Sequence, residues 1–169
     1  LEFEPLRDAY LAAAGRLDPA LGGRPVEIEQ SPFSNRRSVY ARIDRNNFSS
    51  LLRTFDYPSP DATSPGRPVT TVPQQALFAL NSPFVRAMAE DVAQRAQETA
   101  VASVDDPQPQ LQSLYRNVLA RDPSENERQL AVEFLRRHPE GLTLLAQSLL
   151  LLAKRLPPKV WPRPAPWWD

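Results

Sequence analysis

Apolar residues recur at helical spacing at both ends of the chain and lose that rhythm between them. Over residues 3–17, Leu6, Tyr10, Leu11, Ala14 and Leu17 fall on one helical face, and Arg7, Asp8 and Arg16 are expected to face away. Asp18-Pro19 stops this helix, and Gly22-Gly23-Arg24-Pro25 makes a turn. Residues 26–32 read as extended, at best an edge strand. Residues 36–43 alternate, with Ser38, Tyr40 and Arg42 on one side and Val39, Ala41 and Ile43 on the other, which predicts a short strand. Residues 48–55 predict one or two helical turns capped by Asn47 or Ser49.

Residues 56–68 hold four prolines, a glycine and two aspartates and predict a loop. Loops of this length inside a domain are more often functional than short ones. Thr71 is expected to cap the next helix, with Pro73 in its first turn, and that helix runs to about residue 80. Asn81-Ser82-Pro83 interrupts it. Ser82 and Pro83 start a second helix that reaches about residue 99, with Phe84, Val85, Met88, Val92 and Ala96 on its apolar face. Residues 101–109 form a linker.

Three helices follow. Residues 110–120 carry Leu111, Leu114, Tyr115, Val118 and Leu119. Ser124 and Glu127 form a capping box ahead of a face of Leu130, Ala131, Phe134 and Leu135. Residues 142–156 are apolar nearly all round, which predicts a central position in the bundle. Residues 157–169 then hold five prolines and all three tryptophans, Trp161, Trp167 and Trp168. Such a segment cannot bury its tryptophans in a core of its own. It either folds back over the bundle or docks on a partner as an extended arm. The predicted architecture is mainly α: a helical domain over 1–156, five to six helices with a long Pro-rich ordered loop, and an extended Pro/Trp arm over 157–169.

Composition narrows the chemistry. Basic and acidic residues balance at 20 each, so the whole chain has no pull on nucleic acid. Eighteen of the 20 cations are arginine, a residue suited to ion pairs and carbonyl contacts. The absence of cysteine rules out disulfides, zinc-thiolate sites and covalent haem attachment within this chain. No cofactor is therefore expected in it. The single histidine, His138, precedes a proline and reads as a helix-end residue. The carboxylates lack the spacing of a calcium loop, and no phosphate-cradling or nucleophile-elbow motif is present. The longest apolar run, about twelve residues, falls short of the roughly twenty of a membrane span. Arg36, Arg37, Arg42, Arg45, Arg53 and Arg67 gather in the first half beside Tyr40, Phe48 and Phe55. Internal pairing is the favoured reading of this cluster over an anion-binding surface.

One block has a wider likeness. It comprises Arg36-Arg37-Ser38-Val39-Tyr40, Ile43-Asp44-Arg45-Asn46-Asn47, Leu52-Arg53-Thr54-Phe55-Asp56, and Thr70-Thr71-Val72-Pro73-Gln74-Gln75-Ala76-Leu77-Phe78-Ala79-Leu80-Asn81-Ser82-Pro83-Phe84-Val85. In this order it resembles the C-terminal domain of unknown function of large planctomycete and verrucomicrobial cytochrome c-associated surface proteins. Leu114-Tyr115-Arg116 and Ala120-Arg121-Asp122-Pro123 also fit, and the likeness spans about residues 3–152. The resemblance implies an extracytoplasmic location, in the periplasm or at the cell surface, and neighbouring domains or subunits that include a c-type cytochrome. It transfers no catalytic residue. The end of the chain departs from the family pattern, which favours a specialised partner.

A domain that starts Leu-Glu-Phe-Glu is expected to be cut from a longer protein or to serve as a stand-alone subunit. The leading expectation is a non-catalytic interaction or assembly domain, with a partner-docking arm at Trp161, Trp167 and Trp168. The alternative is part of a hydrolytic or carbohydrate-directed active site shared with a neighbouring domain. Candidate ligand- or partner-facing residues are Arg36, Arg37, Asp56, Arg67, Gln75 and Asn81.

Overall fold

A computed structural model describes residues 2–68, 70, 72–99, 107–138 and 141–153. Among them are seven α-helices and one short 3-10 turn. In chain order these are α1 (Phe3–Ala13), the turn Ser38–Tyr40, α2 (Ser50–Thr54), α3 (Pro73–Asn81), α4 (Pro83–Thr99), α5 (Gln108–Leu119), α6 (Glu125–Arg137) and α7 (Leu142–Ala153). The mainly α expectation holds. The Pro/Trp segment and its three tryptophans lie outside the described residues.

The apolar pattern accounts for the packing. Phe84, Val85, Met88, Val92 and Ala96 of α4 are all buried, as are Leu111, Leu114 and Val118 of α5. α4 packs along α7, and both contact α5. α7 also touches α3, so it meets helices on several sides, although Leu144 and Leu152 stay exposed. Tyr10 of α1 is fully buried, and its hydroxyl donates to the carbonyl of Leu150 in α7 at 3.1 Å. Burial raises the pKa of that phenol. Phe3, Phe55 and Phe78 form a ring cluster with centroids 5.3–5.8 Å apart, joining α1, the end of α2 and α3.

Local capping matches the sequence in two places. Ser49 accepts a bond from the Leu52 N–H at the start of α2, and Ser124 and Glu127 complete the capping box of α6. The start of α3 differs. Its N-cap position falls on Val72, with no side-chain cap, and Thr71 lies outside the described residues. α1 also ends earlier than expected. Gly15 turns into the left-handed region (φ +72°), and Arg95 of α4 donates to the released carbonyl of Ala13 at 2.7 Å.

Three further expectations are corrected. Leu130, placed on the apolar face of α6, is 68% exposed, and only Ala131 of that helix is buried. The strand predicted over 36–43 is not a strand, and residues 26–32, read as extended and at best an edge strand, form none. The described residues there hold only the 3-10 turn and two isolated parallel bridges, Asp18 with Arg36 and Val26 with Ala41. Arg7, expected to face water, is 1% exposed.

The last two corrections have one cause. Arg7 Nη1 donates to the Arg36 carbonyl (3.0 Å) and the Ser38 hydroxyl (3.3 Å), and Nη2 donates to the Ser34 carbonyl. Asp8, the next residue, accepts from the Ser38 N–H at 2.7 Å. Side chains of α1 therefore take backbone groups that a second strand would have bonded. Arg7→Met should lower the unfolding free energy by about 3 kcal/mol, because buried carbonyls left without donors cost about 1–3 kcal/mol each. Urea denaturation followed by circular dichroism measures this, and an unchanged midpoint would contradict it.

Candidate functional site

The loop over 56–68 is tied down at both ends. At its start Asp56 adopts a left-handed conformation (φ +59°), which aspartate tolerates better than most residues. Its carboxylate accepts from the Thr70 N–H at 2.9 Å and the Thr70 hydroxyl at 2.8 Å. Gln75 is buried in the first turn of α3. Its amide donates to the carbonyls of Thr54 (3.0 Å) and Thr70 (3.3 Å), joining the end of α2 to the far end of the loop. Near the loop's end, Arg67 makes a two-pronged contact with Glu4 of α1: Nη1 to Oε2 at 2.9 Å and Nη2 to Oε1 at 2.7 Å. Glu2 lies 3.3 Å from the same guanidinium, which stacks over the Tyr57 ring at 4.6 Å.

The electrostatics follow from that pairing. Burial alone would raise the Glu4 pKa. The hydrogen bond from Arg67, a backbone N–H bond and the nearby positive charge outweigh it, and the net shift is downward. Arg67 shifts upward, chiefly through its bond to Glu4. A second paired acid, Glu127, is held down to about 2, first by its bond from Arg121.

The other candidate residues lie elsewhere. Arg36 donates to the carbonyls of Ala20 and Gly22 and stacks on Tyr40 at 4.3 Å. It fixes the glycine turn, where the Tyr40 hydroxyl also accepts from the Gly22 N–H. Arg37 sits 3.7 Å from Asp8 and is partly exposed. Asn81 ends α3 exposed to water. The backbone at that break is bonded instead by Gln147 of α7, whose amide donates to the carbonyls of Ala79 (3.2 Å) and Leu80 (2.8 Å).

The structure therefore brings Asp56, Arg67 and Gln75 together as a clasp on the loop. Arg36 and Arg37 belong to the Arg7-bound segment, and Asn81 joins neither group. Two clefts stand out among the described residues. One, of about 120 Å³, is lined by Phe3, Arg7, Ile28, Phe33 and Phe84 among others. The second, a polar groove, lies between Gln108, Gln112 and Arg128. Neither is lined by Arg36, Arg37, Asp56 or Arg67.

The model of a family described as "PSD1: Protein of unknown function (DUF1553)" matches residues 1–135. The chain belongs to this family. The match spans α1 through most of α6 and so includes the loop, the clasp and the Arg7-bound segment. No curated protein and no solved structure matches the chain.

Arg7, Glu4 and Gln147 are among the members of these contacts missing from the sequence-derived list. For Arg7 a signal exists. It occupies the stripe of Phe3, Tyr10 and Ala14 at three- and four-residue steps, so a helix that buries those residues carries Arg7 inward as well. No comparable signal marks Glu4 or Gln147, whose partners lie 63 and 67 or 68 residues away.

Because the folded Glu4 pKa lies below the unfolded one, the clasp contributes stability above the ordinary carboxylate pKa. That contribution is lost as pH falls through the lower folded value. Glu4→Gln should cost about 1 kcal/mol at neutral pH and flatten the stability profile below about pH 4.5, the ordinary range of a glutamate carboxyl. Thermal unfolding across an acid pH series checks both. Parallel wild-type and variant profiles would refute the assignment.

Proposed function

We propose that this domain is a non-catalytic interaction domain of a larger extracytoplasmic assembly. The observation that carries the reading is a set of leucines left outside the core. Leu77 and Leu80, one turn apart on α3, are each 53% exposed, and Leu144 on α7 is 57% exposed. Gln147, one turn after Leu144, bonds the end of α3, so these helices meet where the leucines lie. A contiguous exposed apolar surface is a mark of a protein-binding face. The use of the arginines supports the same reading. Arg36 and Arg67 are committed to carbonyls, carboxylates and rings of their own chain.

The sequence resemblance to planctomycete and verrucomicrobial surface proteins supports the location and suggests a c-type cytochrome domain as the class of partner. Trp161, Trp167 and Trp168 are proposed as a second point of attachment, reaching the partner from the end of the chain. The alternative, a share in a hydrolytic or carbohydrate-directed active site, gains no support from the two clefts, neither of which is lined by Arg36, Arg37 or Arg67.

The test compares the intact native protein with two variants, Leu77→Asp/Leu80→Asp and a deletion of 157–169. Crosslinking and mass spectrometry of the native assembly should show partner recovery falling at least about tenfold in each, the effect of about 1.4 kcal/mol. Thermal unfolding of the domain should stay within a few degrees of wild type, as for exposed positions in general. Wild-type recovery in both variants would sink the proposal.

A further inference from the structure

Arg7 makes no hydrogen bond or ion pair with a carboxylate, although the charge of neighbouring Asp8 partly offsets its own. Its partners are two backbone carbonyls, one hydroxyl and the Phe84 ring, 5.1 Å from the guanidinium carbon. Its Nε–H is buried and has no hydrogen-bond partner. Buried donors without partners are uncommon and mark places where something polar belongs. Burial pushes the Arg7 pKa down, and the nearby Asp8 charge only partly opposes that shift.

Arg7 lines the cleft of about 120 Å³, together with Phe3, Phe33, Phe78, Phe84, Ile28 and the rim residue Glu29. Cavities of roughly 150 Å³ hold a benzene-sized guest, so this one suits a guest of a few carbons. Four of its ten lining residues are phenylalanines. Phe33 and Phe84 meet edge to face at 5.4 Å. Glu29 is exposed to water, so its like charge reaches the guest only through a high-dielectric medium.

We propose that the cleft beside Arg7 is a binding site for a small carboxylate with a compact branched or aromatic body. The carboxylate accepts from Arg7 Nε–H, and the apolar body rests among the phenylalanines. The guest enters past the half-buried Phe33, while Phe84 keeps its place against Arg7. The site is independent of the leucine face on α3 and α7.

Isobutyrate is the probe. For so few atoms, binding at about millimolar is the expectation. Heteronuclear NMR of the full chain, observing the Arg7 Nε–H resonance, should show saturable shifts with isobutyrate. Isobutyramide, of the same shape but neutral, and sodium chloride at matched ionic strength should give none. Because Arg7 variants can unfold the domain, the second arm fills the cleft. Leu51→Trp, on its wall, should keep the native spectrum elsewhere and abolish the isobutyrate response. Equal shifts from the amide or chloride, no saturable shift well above millimolar, or an undiminished response in a folded Leu51→Trp would each overturn the site.

Discussion

Burial of the Arg7 guanidinium constrains the whole first third of the molecule. Removing such a cation from water costs several kcal/mol. Hydrogen bonds from a charged donor return about 2 kcal/mol each, and a desolvated ring contact about as much. Arg7 therefore sits inside only while Ser34, Arg36, Ser38 and Phe84 stay in reach. Those four positions belong to the irregular segment after α1 and to the first turn of α4. One side chain thus fixes a stretch that has no sheet of its own to hold it, and docks it against α1 and α4 together.

The long loop is solved by the same means. Proline-rich backbone offers few N–H groups, so regular pairing is closed to it. Side chains from its ends and neighbours supply the bonds instead: Asp56 to Thr70, Gln75 to the carbonyls of Thr54 and Thr70, and Arg67 to Glu4. Arginine suits this role, since its planar fork meets a carboxylate or two carbonyls at once and its face stacks on a ring. Arg67 on Tyr57 and Arg36 on Tyr40 do both. The arginine-rich composition of a neutral chain then has a structural use: the cations act as crosslinks between irregular segments.

What the sequence discloses follows from the range of each interaction. The helices were legible because their signals are local: Ser124 with Glu127, Pro83 after Ser82, and the stripe from Phe84 to Ala96. The segment over 36–43 misled because alternation records only which side chains share a side. It says nothing of what the backbone bonds to, and here Arg7 and Asp8 take those groups. Leu130 misled for the complementary reason: helical spacing defines a stripe but not whether a neighbour covers it. Of the candidate site, Asp56, Arg67 and Gln75 were legible as polar residues flanking a loop, whereas Glu4 and Gln147 were not, since each acts more than 60 residues from its partner.

α7 joins fold and function most directly. It lies beyond the residues matched by the family model, yet Ala146, Leu149, Leu150 and Ala153 belong to the core and Leu150 receives the Tyr10 hydroxyl. Its inner side is thus required for α1 and α4 to close. A surface helix needs only that one apolar stripe, and its outer side is normally polar. The outer side of α7 instead keeps Leu144 and Leu152 exposed, beside a helix that exposes Leu77 and Leu80. Packing among the described residues explains the inner leucines and not the outer ones. That asymmetry is the physical ground for assigning the outer side to a partner.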